Sequence, residues 1–415
     1  MNISILHYAA PPVVGGVESV IGHHARLMAA DGHQVSILAG RGAQMDPRIP
    51  FFELALADSR HPEILAVKAE LDAGRVSAHF DYLVAVLEET LSAQLAGTQV
   101  LMAHNVCSLN KNLPLTAALK KISKQPGAPR LVLWHHDLAW TSPRYRAELH
   151  AGYPWDLLKT DWPEAVQVTI SEPRHQELAK LLGVPPGRIL VVPNGLEVRK
   201  FLKLEAQTLH FVNELNLLAA NPLLLLPVRI TPRKNIELAI RVLAALRGPY
   251  PEAKLVVTGP LGPHNPANIT YFNQLIALRA GFGLDRAVIF LAEHTQDYLP
   301  DEVIADFYRL ADALLLPSRE EGFGIPILEA GLAGLPVFCA DIPTLRELGE
   351  GLVSFFSLEA SSGEVATLIA SRLSGDCAFG LRQRVKQEYT WPRIYAERIR
   401  PILMVFHLKS SEEKP

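Results

Sequence analysis

The stretch from Asp312 to Ala330 places Glu321, Glu329 and two glycines after a short apolar run. Glu321 and Glu329 are separated by seven residues, so Glu321 lies on a predicted loop and Glu329 about one turn inside a predicted helix. A carboxylate can accept hydrogen bonds from two neighbouring hydroxyls, which is the arrangement that a ribose or hexose diol offers. The two glutamates could therefore face one bound ligand. The alternative is a capped helix whose acidic side chains are merely solvated.

The residues between the two glutamates are suited to binding an anion. Gly322 and Gly324, on either side of Phe323, free the backbone to approach a ligand closely before the predicted helix begins. Pro326 suits the first helical turn, because the N–H group that proline lacks would have no helical partner there. The free N–H groups and the dipole at the start of a helix can receive a diphosphate. We therefore expect Gly322, Phe323 and Gly324 to line the same ligand site as Glu329.

Two cations follow the first predicted strand of the second half. Arg229 and Lys234 lie in the sequence Val-Arg-Ile-Thr-Pro-Arg-Lys-Asn of residues 228–235. They would neutralise a diphosphate and the charge that grows on it when a bond to it breaks. The alternative is a solvated basic turn. No Asp-x-Asp sequence stands at a predicted strand end of this region, so we expect no bound metal ion.

A histidine pair ends a buried strand of the first half, in the sequence Trp-His-His-Asp of residues 134–137. His136, which precedes Asp137, could hydrogen-bond a sugar hydroxyl and help to form a reaction environment. The alternative is a structural histidine that Asp137 holds in place. The neighbouring His135 leaves the register of the pair open.

Three further turns carry weaker signals. Gly15 and Gly16 form a flexible loop that could bring N–H groups close to a phosphate or an acceptor. Gly259 similarly permits close approach at the end of a strand. His104 and Asn105 follow another strand and could line the acceptor side of a site. For each of them a plain turn or loop is the alternative.

Short apolar runs alternate with helical patterns along the whole chain, which is typical of parallel sheets covered on both faces. Each half holds about six runs, which predicts an α/β protein with two doubly wound, Rossmann-like domains and a break after residues 193–195. Such sheets bind ligands beyond the carboxyl ends of their strands, where the candidate residues lie. The runs are residues 3–8, 34–39, 99–103, 130–134, 166–170, 189–192, 223–228, 254–258, 287–291, 313–316, 336–339 and 352–355.

The bulk properties exclude several classes of protein. A chain of 415 residues exceeds the size at which one core usually stops growing, and its net charge of −3 provides no basic field for a nucleic acid. The three cysteines are too few and too scattered for a disulfide framework or a zinc site. The beginning of the chain lacks the basic region of a signal peptide, and the longest apolar tract, residues 216–230, is too short and interrupted to span a bilayer. We therefore expect a cytoplasmic protein.

The motifs resemble those of a large enzyme family. The Glu-x7-Glu string with Glu-Gly-Phe-Gly at residues 321–324, followed by Glu-Ala-Gly-Leu-Ala-Gly-Leu-Pro-Val at residues 329–337, is similar to the retaining glycosyltransferases of the GT-B fold. That family includes bacterial mannosyltransferases and sucrose and glycogen synthases. The resemblance covers nearly the whole chain, because further motifs stand in the family's order at residues 15–18, 31–35, 193–195 and 389–391.

The resemblance implies a fold and a reaction. Residues 1–195 would form an acceptor domain, residues 196–390 a nucleotide-sugar donor domain facing it across a cleft, and residues 391–415 a final helix that crosses back to the first domain, with a polar tail. The enzyme would move a hexose from a nucleoside diphosphate sugar to a hydroxyl acceptor, with retention at the anomeric carbon. It would need neither a metal ion nor another cofactor.

The resemblance also implies roles for the candidate residues. Where the family usually has glycine after the lysine, this chain has Asn235, which puts only the local loop shape in doubt. Contacts with the acceptor would come from His104 and Asn105. The implied catalytic residues are Glu321, His136, Arg229 and Lys234. The implied donor contacts are Gly15, Gly16, Arg229, Lys234, Gly259, Gly322, Phe323, Gly324 and Glu329.

One surface feature and two other functions remain as alternatives. Lys111, Lys120, Lys121 and Lys124 lie in a segment without acids, which could attract an anionic acceptor or the inner face of a membrane, although a solvated helix face is more common. A phosphorylase or a nucleotide-sugar epimerase would reuse the same phosphate site. A non-catalytic sugar-nucleotide-binding protein would bind a donor without turnover. The sequence does not identify the base, the sugar or the acceptor.

Overall fold

Short apolar runs form the strands of two parallel sheets in the computed structural model, which describes residues 1–261, 266–295 and 298–412. Within these residues, the order of the first sheet is β3-β2-β1-β4-β5-β6-β7 and that of the second is β10-β9-β8-β11-β12-β13. The strands are β1 (Asn2–His7), β2 (Gln34–Ala39), β3 (Phe51–Glu53), β4 (Val100–His104), β5 (Arg130–His135), β6 (Val166–Thr169), β7 (Ile189–Val191), β8 (Leu223–Leu226), β9 (Lys254–Val257), β10 (Val288–Phe290), β11 (Ala313–Leu316), β12 (Val337–Ala340) and β13 (Ser354–Phe356).

Helices follow most of the strands, as the right-handed crossover of a parallel sheet requires. They are α1 (Gly16–Ala30), α2 (Pro62–Asp72), α3 (Ala78–Gln94), α4 (Leu113–Ile122), α5 (Glu172–Leu182), α6 (Val198–Leu202), α7 (Ala206–Glu214), α8 (Ile236–Leu246), α9 (Pro266–Gly281), α10 (Asp301–Leu310), α11 (Ile325–Leu332), α12 (Pro343–Gly349), α13 (Ser362–Ser374), α14 (Cys377–Glu388), α15 (Trp391–Ile394) and α16 (Arg400–Glu412). A π-helical turn, Tyr395–Ile399, joins the last two helices.

The chain forms two units, each with its own sheet and core. Unit 1 consists of residues 1–195 together with the segment that begins at Trp391, and unit 2 of residues 196–390. The strands at the centre of each sheet are buried along almost their whole length, as in β1, β4, β8 and β11. Burial on both faces explains why these strands are continuous apolar runs and do not alternate with polar residues. The α/β class with two doubly wound sheets is thus confirmed.

The apolar runs locate the strands well, with one exception. All twelve predicted runs correspond to strands, with ends that differ by no more than two residues. The expectation of about six strands in each half is wrong for the first sheet, in which the described residues form seven. The additional strand, β3, has three residues that are only partly buried, and it lies at the edge beside β2. Its length and exposure leave no apolar run to detect.

Each sheet has a switch point where the direction of winding reverses. In unit 1 it lies between β1 and β4, and in unit 2 between β8 and β11, because the chain adds strands on one side of the first strand and then on the other. Loops that leave adjacent strands in opposite directions open a crevice at that edge of the sheet, where ligands bind in doubly wound folds. In unit 2 the loops at this point contain Arg229 and Lys234 after β8 and Glu321 after β11.

The last segment of the chain packs on unit 1. Ile394, Ile399 and Leu403 are buried in the cluster that includes strand residues of the first sheet. Tyr395 donates a hydrogen bond to Asp31 (2.7 Å), which also pairs with Arg400. Where the chain passes between the units, Leu196 N donates to Tyr389 O (2.7 Å). The last contact lies within unit 2, whereas the contacts of Ile394, Ile399, Leu403, Tyr395 and Arg400 explain why the final helices belong to unit 1.

Gly195, the last residue of the first segment of unit 1, must be a glycine. A side chain at Gly195 would lie 2.7 Å from the ring of Trp391, so the two ends of unit 1 approach each other too closely for a Cβ atom. This contact brings together two motifs that are distant in sequence, residues 193–195 and 389–391. It gives a packing reason for the glycine of the motif at residues 193–195.

Helices also form the segment before the second sheet and part of the predicted polar tail. In the segment before β8, helix α7 buries Phe211 and Val212 in the core of unit 2. In the predicted polar tail, residues 410–412 belong to α16, and residues 413–415 lie outside the described residues. None of the helices in the described part of the chain is both long and apolar enough to cross a membrane.

Candidate functional site

A cavity of about 440 Å³ opens at the switch point of unit 2. It is enclosed by the loop after β8, the loop after β9, the start of α10 and the beginning of α11. Gly322, between Glu321 and Phe323, is the one residue predicted for this unit that does not line it. The predicted residues that line the cavity are Arg229, Lys234, Gly259, Glu321, Phe323, Gly324 and Glu329.

A buried ion pair joins the two loops of the switch point. Lys234 Nζ donates a hydrogen bond to Glu321 Oε1 at 2.6 Å, and both side chains are less than a tenth exposed (9% and 8%). Because an ammonium has three N–H donors, two remain for other oxygens, and Glu321 Oε2 can accept from a hydroxyl. The pair can therefore hold a phosphate oxygen on Lys234 and a hydroxyl on Glu321 a few ångströms apart.

A buried tyrosine orients the second glutamate. The hydroxyl group of Tyr308, on α10, donates a hydrogen bond to Glu329 Oε2 at 2.5 Å. The pKa of Tyr308 is raised far above its usual value, first by burial and then by this carboxylate, so the phenol stays protonated and remains a donor. Glu329 lies on α11 with its other oxygen available for a diol. Tyr308 could not be recognised from the sequence, because a tyrosine in an amphipathic helix is usually a core residue.

The beginning of α11 depends on one glycine. Gly324 has a φ of +102°, and a Cβ atom there would lie 2.7 Å from a methyl group of Leu345. Both facts require glycine, and they allow α11 to begin at Ile325 with Pro326 in its first turn, as the sequence predicts. Pro326 has no N–H group and Ile327 N donates to Gly324 O (3.0 Å), so among the first three residues of the helix it is Ile325 whose N–H group lacks a helical acceptor, at the border of the cavity. Gly322 has no such requirement, since a Cβ atom there meets nothing within 4 Å.

Gly259 has a structural role. A Cβ atom on it would lie 1.9 Å from the carbonyl oxygen of Val228, on the neighbouring loop. The two loops run side by side just beyond this point, where Ile230 and Leu261 form an isolated β-bridge. Glycine is thus required by the close approach of two backbones, although the residue also lines the cavity.

His136 lies in a group of neutral, buried imidazoles in unit 1. Its Nε2 is 3.0 Å from Nδ1 of His104, and it is 6% exposed. Burial, reinforced by the nearby His7 and His135, lowers the pKa of His136 to about 3. At neutral pH it is therefore an uncharged imidazole that can exchange a hydrogen bond, and it does not supply a positive charge.

Asn105 holds the loop that carries His136. It has a φ of +57°, and its Oδ1 accepts hydrogen bonds from the backbone N–H groups of His136 (2.8 Å) and Asp137 (3.2 Å). Asp137 itself lies 3.6 Å from Arg144, so the ion pair that the structure assigns to it is with an arginine. His104 and Asn105, predicted to line the acceptor side, are buried at 0% and 3% exposure and bond within unit 1.

The sequence analysis did not single out His7 and His24. His7 Nδ1 is 2.7 Å from the carbonyl oxygen of His104, and the ring of His24 packs 4.6 Å from that of Trp134. Neither ring nitrogen of His24 has a hydrogen-bond partner in the described part of the chain. Burial lowers the pKa of His7 to about 4 and that of His24 to about 3. The signal that could have identified His24 is its place beside His23 on α1.

Gly15 and Gly16 lie at the beginning of α1. Gly15 has an extended backbone with a φ of −178°, which any residue can adopt, and a Cβ atom at Gly16 meets nothing within 4 Å. The protein itself therefore does not require glycine at Gly16. The helix places free N–H groups at this turn, as it does in α11.

The basic segment of residues 111–130 is partly neutralised. Lys120 pairs with Glu164 at 2.8 Å and lies over the ring of Trp162 at 4.4 Å. Lys121 pairs with Glu88 at 3.2 Å. Acids that are distant in sequence thus compensate half of the four lysines, which weakens the attraction of this face for an anionic surface.

Residues 1–261, 266–295 and 298–412 contain no group of three or more histidine, cysteine or acidic side chains placed to hold a metal ion. Cys107 and Cys339 are buried free thiols, and Cys377 is an exposed one. The cations that border the cavity are consequently those of Arg229 and Lys234, together with Arg233.

Two family models match the chain, one in each half. The model described as Glycosyltransferase Family 4 matches residues 14–200, and the model described as Glycosyl transferases group 1 matches residues 211–387. The first match lies within unit 1 apart from its last residues, and the second lies within unit 2. The second contains both loops of the cavity.

Curated relatives carry the names of sugar-transferring enzymes. A D-inositol 3-phosphate glycosyltransferase of Acidothermus cellulolyticus is 29% identical over 57% of this chain and 49% of its own length. An MMP alpha-(1->4)-mannosyltransferase of Mycolicibacterium hassiacum is 23% identical over 96% of this chain and 97% of its own length. The chain spans about half the length of two D-inositol 3-phosphate glycosyltransferases that it matches, 49% of one and 55% of the other. Among solved structures, sucrose-phosphate synthase from Thermosynechococcus elongatus is 17% identical, with 98% of this chain and 99% of that chain covered and a TM-score of 0.40.

Proposed function

Because the chain belongs to the group 1 glycosyltransferases of the GT-B fold, we propose that it transfers a hexose from a nucleoside diphosphate sugar to a hydroxyl group of an acceptor. The transfer retains the configuration of the anomeric carbon and requires neither a metal ion nor another cofactor. One observation carries the proposal: Lys234, Arg229, Glu321 and Glu329 line the same cavity at the switch point of unit 2.

The cations of the cavity account for the diphosphate. Lys234 is buried and Arg229 is exposed at the wall, and the N–H group of Ile325 at the beginning of α11 borders the same space. Charge-assisted hydrogen bonds to these groups would hold the diphosphate before transfer and stabilise the charge that grows on it as the glycosidic bond breaks. In this proposal Arg229 and Lys234 perform the task that a divalent cation often performs.

The two glutamates divide the sugars of the donor between them. Glu329, held by Tyr308, accepts hydrogen bonds from the ribose diol, and Glu321 accepts them from a hydroxyl of the transferred hexose. The ion pair supports this division. Since Lys234 contacts Glu321 at 2.6 Å, a hydroxyl on Glu321 lies a few ångströms from a phosphate oxygen on Lys234. That spacing suits the hexose and the phosphate to which it is bonded.

Retention follows from the family and needs no carboxylate nucleophile. The bond between the anomeric carbon and the phosphate oxygen breaks, and the acceptor oxygen bonds to the same face of that carbon. The acceptor proton passes to an oxygen of the departing diphosphate. Retaining hydrolases instead use a carboxylate for attack from the opposite face. Glu321 is a poor candidate for such attack, because its hydrogen bond with Lys234 reduces its nucleophilicity.

Unit 1 carries the acceptor side in this proposal. Within unit 1, His136 offers a neutral imidazole to a sugar hydroxyl, and the N–H groups at Gly15 and Gly16 are available to a phosphate or an acceptor. His104 and Asn105 contribute by holding His136 and its loop, because their side chains bond to them. The relatives named for D-inositol 3-phosphate and for mannosyl transfer support a small hydroxyl acceptor and a hexose.

A donor screen followed by product analysis tests the proposal. UDP-, GDP- and ADP-hexoses are first compared by thermal shift, where a ligand at a hundred times its Kd stabilises by about 2.7 kcal/mol. The donor that binds is then incubated with hydroxyl acceptors, and NMR of the product reports the anomeric configuration. We expect an acceptor-dependent product with the configuration of the donor.

Other outcomes assign the chain to the alternatives. Inorganic phosphate as the acceptor would indicate a phosphorylase, and interconversion of the donor without an acceptor would indicate an epimerase. Binding without any turnover would indicate a non-catalytic binding protein. If none of the nucleotides or sugar nucleotides binds, the cavity is not a donor site and the proposal is wrong.

A further inference from the structure

The two loops that form the ion pair are tied together beyond the sheet. Strand β8 ends at Leu226 and β11 at Leu316, so strand pairing does not extend to Lys234 or Glu321. A backbone hydrogen bond from Arg319 N to Arg233 O (2.8 Å) continues the connection between the loops. The spacing of Lys234 and Glu321 therefore depends on contacts between the loops themselves.

The side chain of Arg319 makes two further contacts across this junction. Its Nη2 atom donates to Oδ1 of Asn235 at 3.2 Å and to Oε1 of Glu237 at 3.3 Å. Arg319 stands two residues before Glu321, and Asn235 directly follows Lys234. Arg319 thus joins the immediate neighbours of the two charged residues, although it does not itself line the cavity.

Asn235 has a backbone conformation that few residues adopt. Its φ of 52° and ψ of 43° lie in the left-handed region. Glycine adopts this region freely, and asparagine is among the few residues with a side chain that tolerate it. It precedes α8 but makes no side-chain cap hydrogen bond, and it is 4% exposed. Glycine would allow the same backbone but would provide no acceptor. The asparagine side chain therefore serves the contact with Arg319.

Glu237, the second acceptor, is itself fixed. The hydroxyl group of Tyr271 donates a hydrogen bond to Glu237 Oε2 and accepts one from Ile236 N at 3.1 Å. Tyr271 lies on α9 and is 8% exposed. The contact of Arg319 with Glu237 thus connects the loop after β11 to the beginning of α8 and to the core of unit 2.

We propose that Arg319 is a positioning residue that holds Lys234 and Glu321 at the spacing needed to share one donor, with Asn235 and Glu237 as its acceptors. This inference rests on the proposed function. A diphosphate competes for the ammonium of Lys234 and a sugar hydroxyl for the carboxylate of Glu321, so ligand binding weakens the ion pair that connects the loops. The contacts of Arg319 lie outside the cavity and persist when it is occupied.

Two variants test the inference separately and together. Arg319→Met removes the donors and keeps a long side chain, and Asn235→Gly keeps the left-handed backbone and removes the acceptor. The matched control is Arg384→Met, which removes an exposed arginine that pairs with Glu388 on α14. All variants, and the double variant, are measured in the full chain for melting temperature, donor kcat and KM, binding of UDP and GDP, and hydrogen exchange.

The expected effects are larger on turnover than on binding. Arg319→Met should lower kcat about tenfold with donor KM changed less than threefold, because the misplaced charges are felt most in the transition state. Asn235→Gly should lower kcat about threefold alone and have almost no effect in the Arg319→Met background, the non-additivity of residues in contact. Arg384→Met should change neither. Equal factors for Asn235→Gly in both backgrounds, or a kcat within twofold for Arg319→Met, would overturn the inference.

Hydrogen exchange makes the inference independent of the donor. Each variant is read on the opposite loop: Arg319→Met should speed exchange in residues 229–236, and Asn235→Gly in residues 317–324. If wild-type protein binds neither UDP nor GDP and turns over no donor, the proposed function fails, and exchange still decides whether Arg319 ties the loops. Unchanged exchange on the opposite loop in both variants means that there is no such tie.

Discussion

The two units differ in the polar groups that they bury. Besides one ion-paired carboxylate, Asp58 with Arg41 at 2.6 Å, unit 1 buries a group of uncharged imidazoles, whose ring hydrogen bonds in the described residues go to backbone, amide and imidazole groups. Burial is the main cause that lowers the pKa of each imidazole, to about 4 in His7 and His135 and to about 3 in His24 and His136. The group comprises His7, His24, His104, His135 and His136.

Unit 2 buries charges in pairs. Asp312, which is 3% exposed, lies 3.2 Å from Lys386 Nζ and 3.3 Å from Arg382 Nε, and it accepts a hydrogen bond from Leu223 N (2.8 Å). Asp306, which is 0% exposed, pairs with Arg309. Lys234 and Glu321 form a further buried pair, on the wall of the cavity. The contacts of Asp312 support the sheet, whereas the pair of Lys234 and Glu321 is accessible to a ligand.

The difference indicates what each unit can do. A buried pair of charges is costly to desolvate, and removal of one partner leaves the other charge uncompensated. Unit 2 therefore keeps a strong local field that a charged ligand can use, at the place where a diphosphate would bind. Buried neutral imidazoles provide hydrogen bonds without charge, but they make unit 1 sensitive to acid. Four experiments can break or sharpen this comparison.

The largest expected effect is the acid destabilisation of unit 1. The native histidines stay neutral down to about pH 4, whereas the unfolded chain binds protons near pH 6.5. Between these values the unfolded state holds more protons, so the free energy of unfolding falls with falling pH by about 1.4 kcal/mol per pH unit for each histidine. Above pH 6.5 this contribution to stability is fully present. Several histidines together should remove most of the stability of unit 1 by about pH 4.5.

Tryptophan fluorescence can report this transition in unit 1 alone. All five tryptophans belong to unit 1, so urea denaturation followed by their emission between pH 7.5 and pH 4.5 gives its stability. His24→Phe should reduce the pH slope by about one proton, and His210→Phe, an exposed histidine of unit 2, should not. A free energy of unfolding that is constant from pH 7 to pH 5 would contradict the comparison.

The next largest effect is on turnover, from Glu321→Gln. Loss of a contact that strengthens in the transition state should lower kcat by about 10² or more. The structure adds an expectation about binding: without the carboxylate, Lys234 is free for the diphosphate, so UDP or GDP should bind at least as tightly as to wild type. Initial rates and calorimetry measure the two quantities.

The neighbouring glutamate provides the control. Glu320 is exposed and does not line the cavity, so Glu320→Gln should leave kcat within about twofold, a difference below 0.5 kcal/mol. If Glu321→Gln is equally mild while nucleotide binding is intact, Glu321 is not at the reacting sugar. The ion pair would then serve only the structure of the loops.

A smaller effect, on binding, is expected from Glu329→Gln. The ribose contact is equal in the ground and transition states, so donor KM should rise about tenfold with kcat within about threefold. Tyr308→Phe removes only the hydrogen bond that orients Glu329 and should raise KM by about threefold. A fall in kcat without a change in KM for either variant would place Glu329 at the transferred hexose.

No effect is expected from removal of divalent metal ions. The cavity presents Arg229, Lys234 and the beginning of α11 to the diphosphate, so turnover after thorough chelation should equal that of the untreated enzyme within about twofold. Initial rates with and without added magnesium or manganese measure it. Loss of activity on chelation that magnesium restores would show that the cations of unit 2 are insufficient.

The fold and the position of the cavity could be predicted from the sequence, because each rests on a pattern with one physical cause. Strands buried on both faces must be apolar throughout, which made twelve of them visible, and β3 escaped because it is short and exposed at an edge. The switch point follows from the order of the strands, which the sequence does not state. The motifs at residues 228–235 and 321–324 nevertheless met in one cavity, because both follow strands that are neighbours in the sheet.

Side-chain partners could not be predicted, because they join residues that are distant in sequence. Nothing in the spacing pairs Lys234 with Glu321 or Tyr308 with Glu329, whose partners lie on other elements. The glycines illustrate the same limit. Gly259 and Gly195 are explained by the approach of Val228 and Trp391, whereas Gly324 needs its positive φ, and the sequence shows the three alike.

The measurement that tests the central claim most directly is the titration of UDP and GDP into wild type and Lys234→Met. The claim is that Lys234 binds the diphosphate in the cavity of unit 2. Lys121→Met, which removes another ion-paired lysine, is the control, and Lys234→Met combined with Glu321→Gln removes any repulsion by an unpaired carboxylate. We predict that at least one nucleotide binds wild type and Lys121→Met alike, and that both Lys234 variants bind it about 30-fold more weakly or worse, as for a lost charge-assisted hydrogen bond. Wild-type affinity in the double variant would contradict the claim.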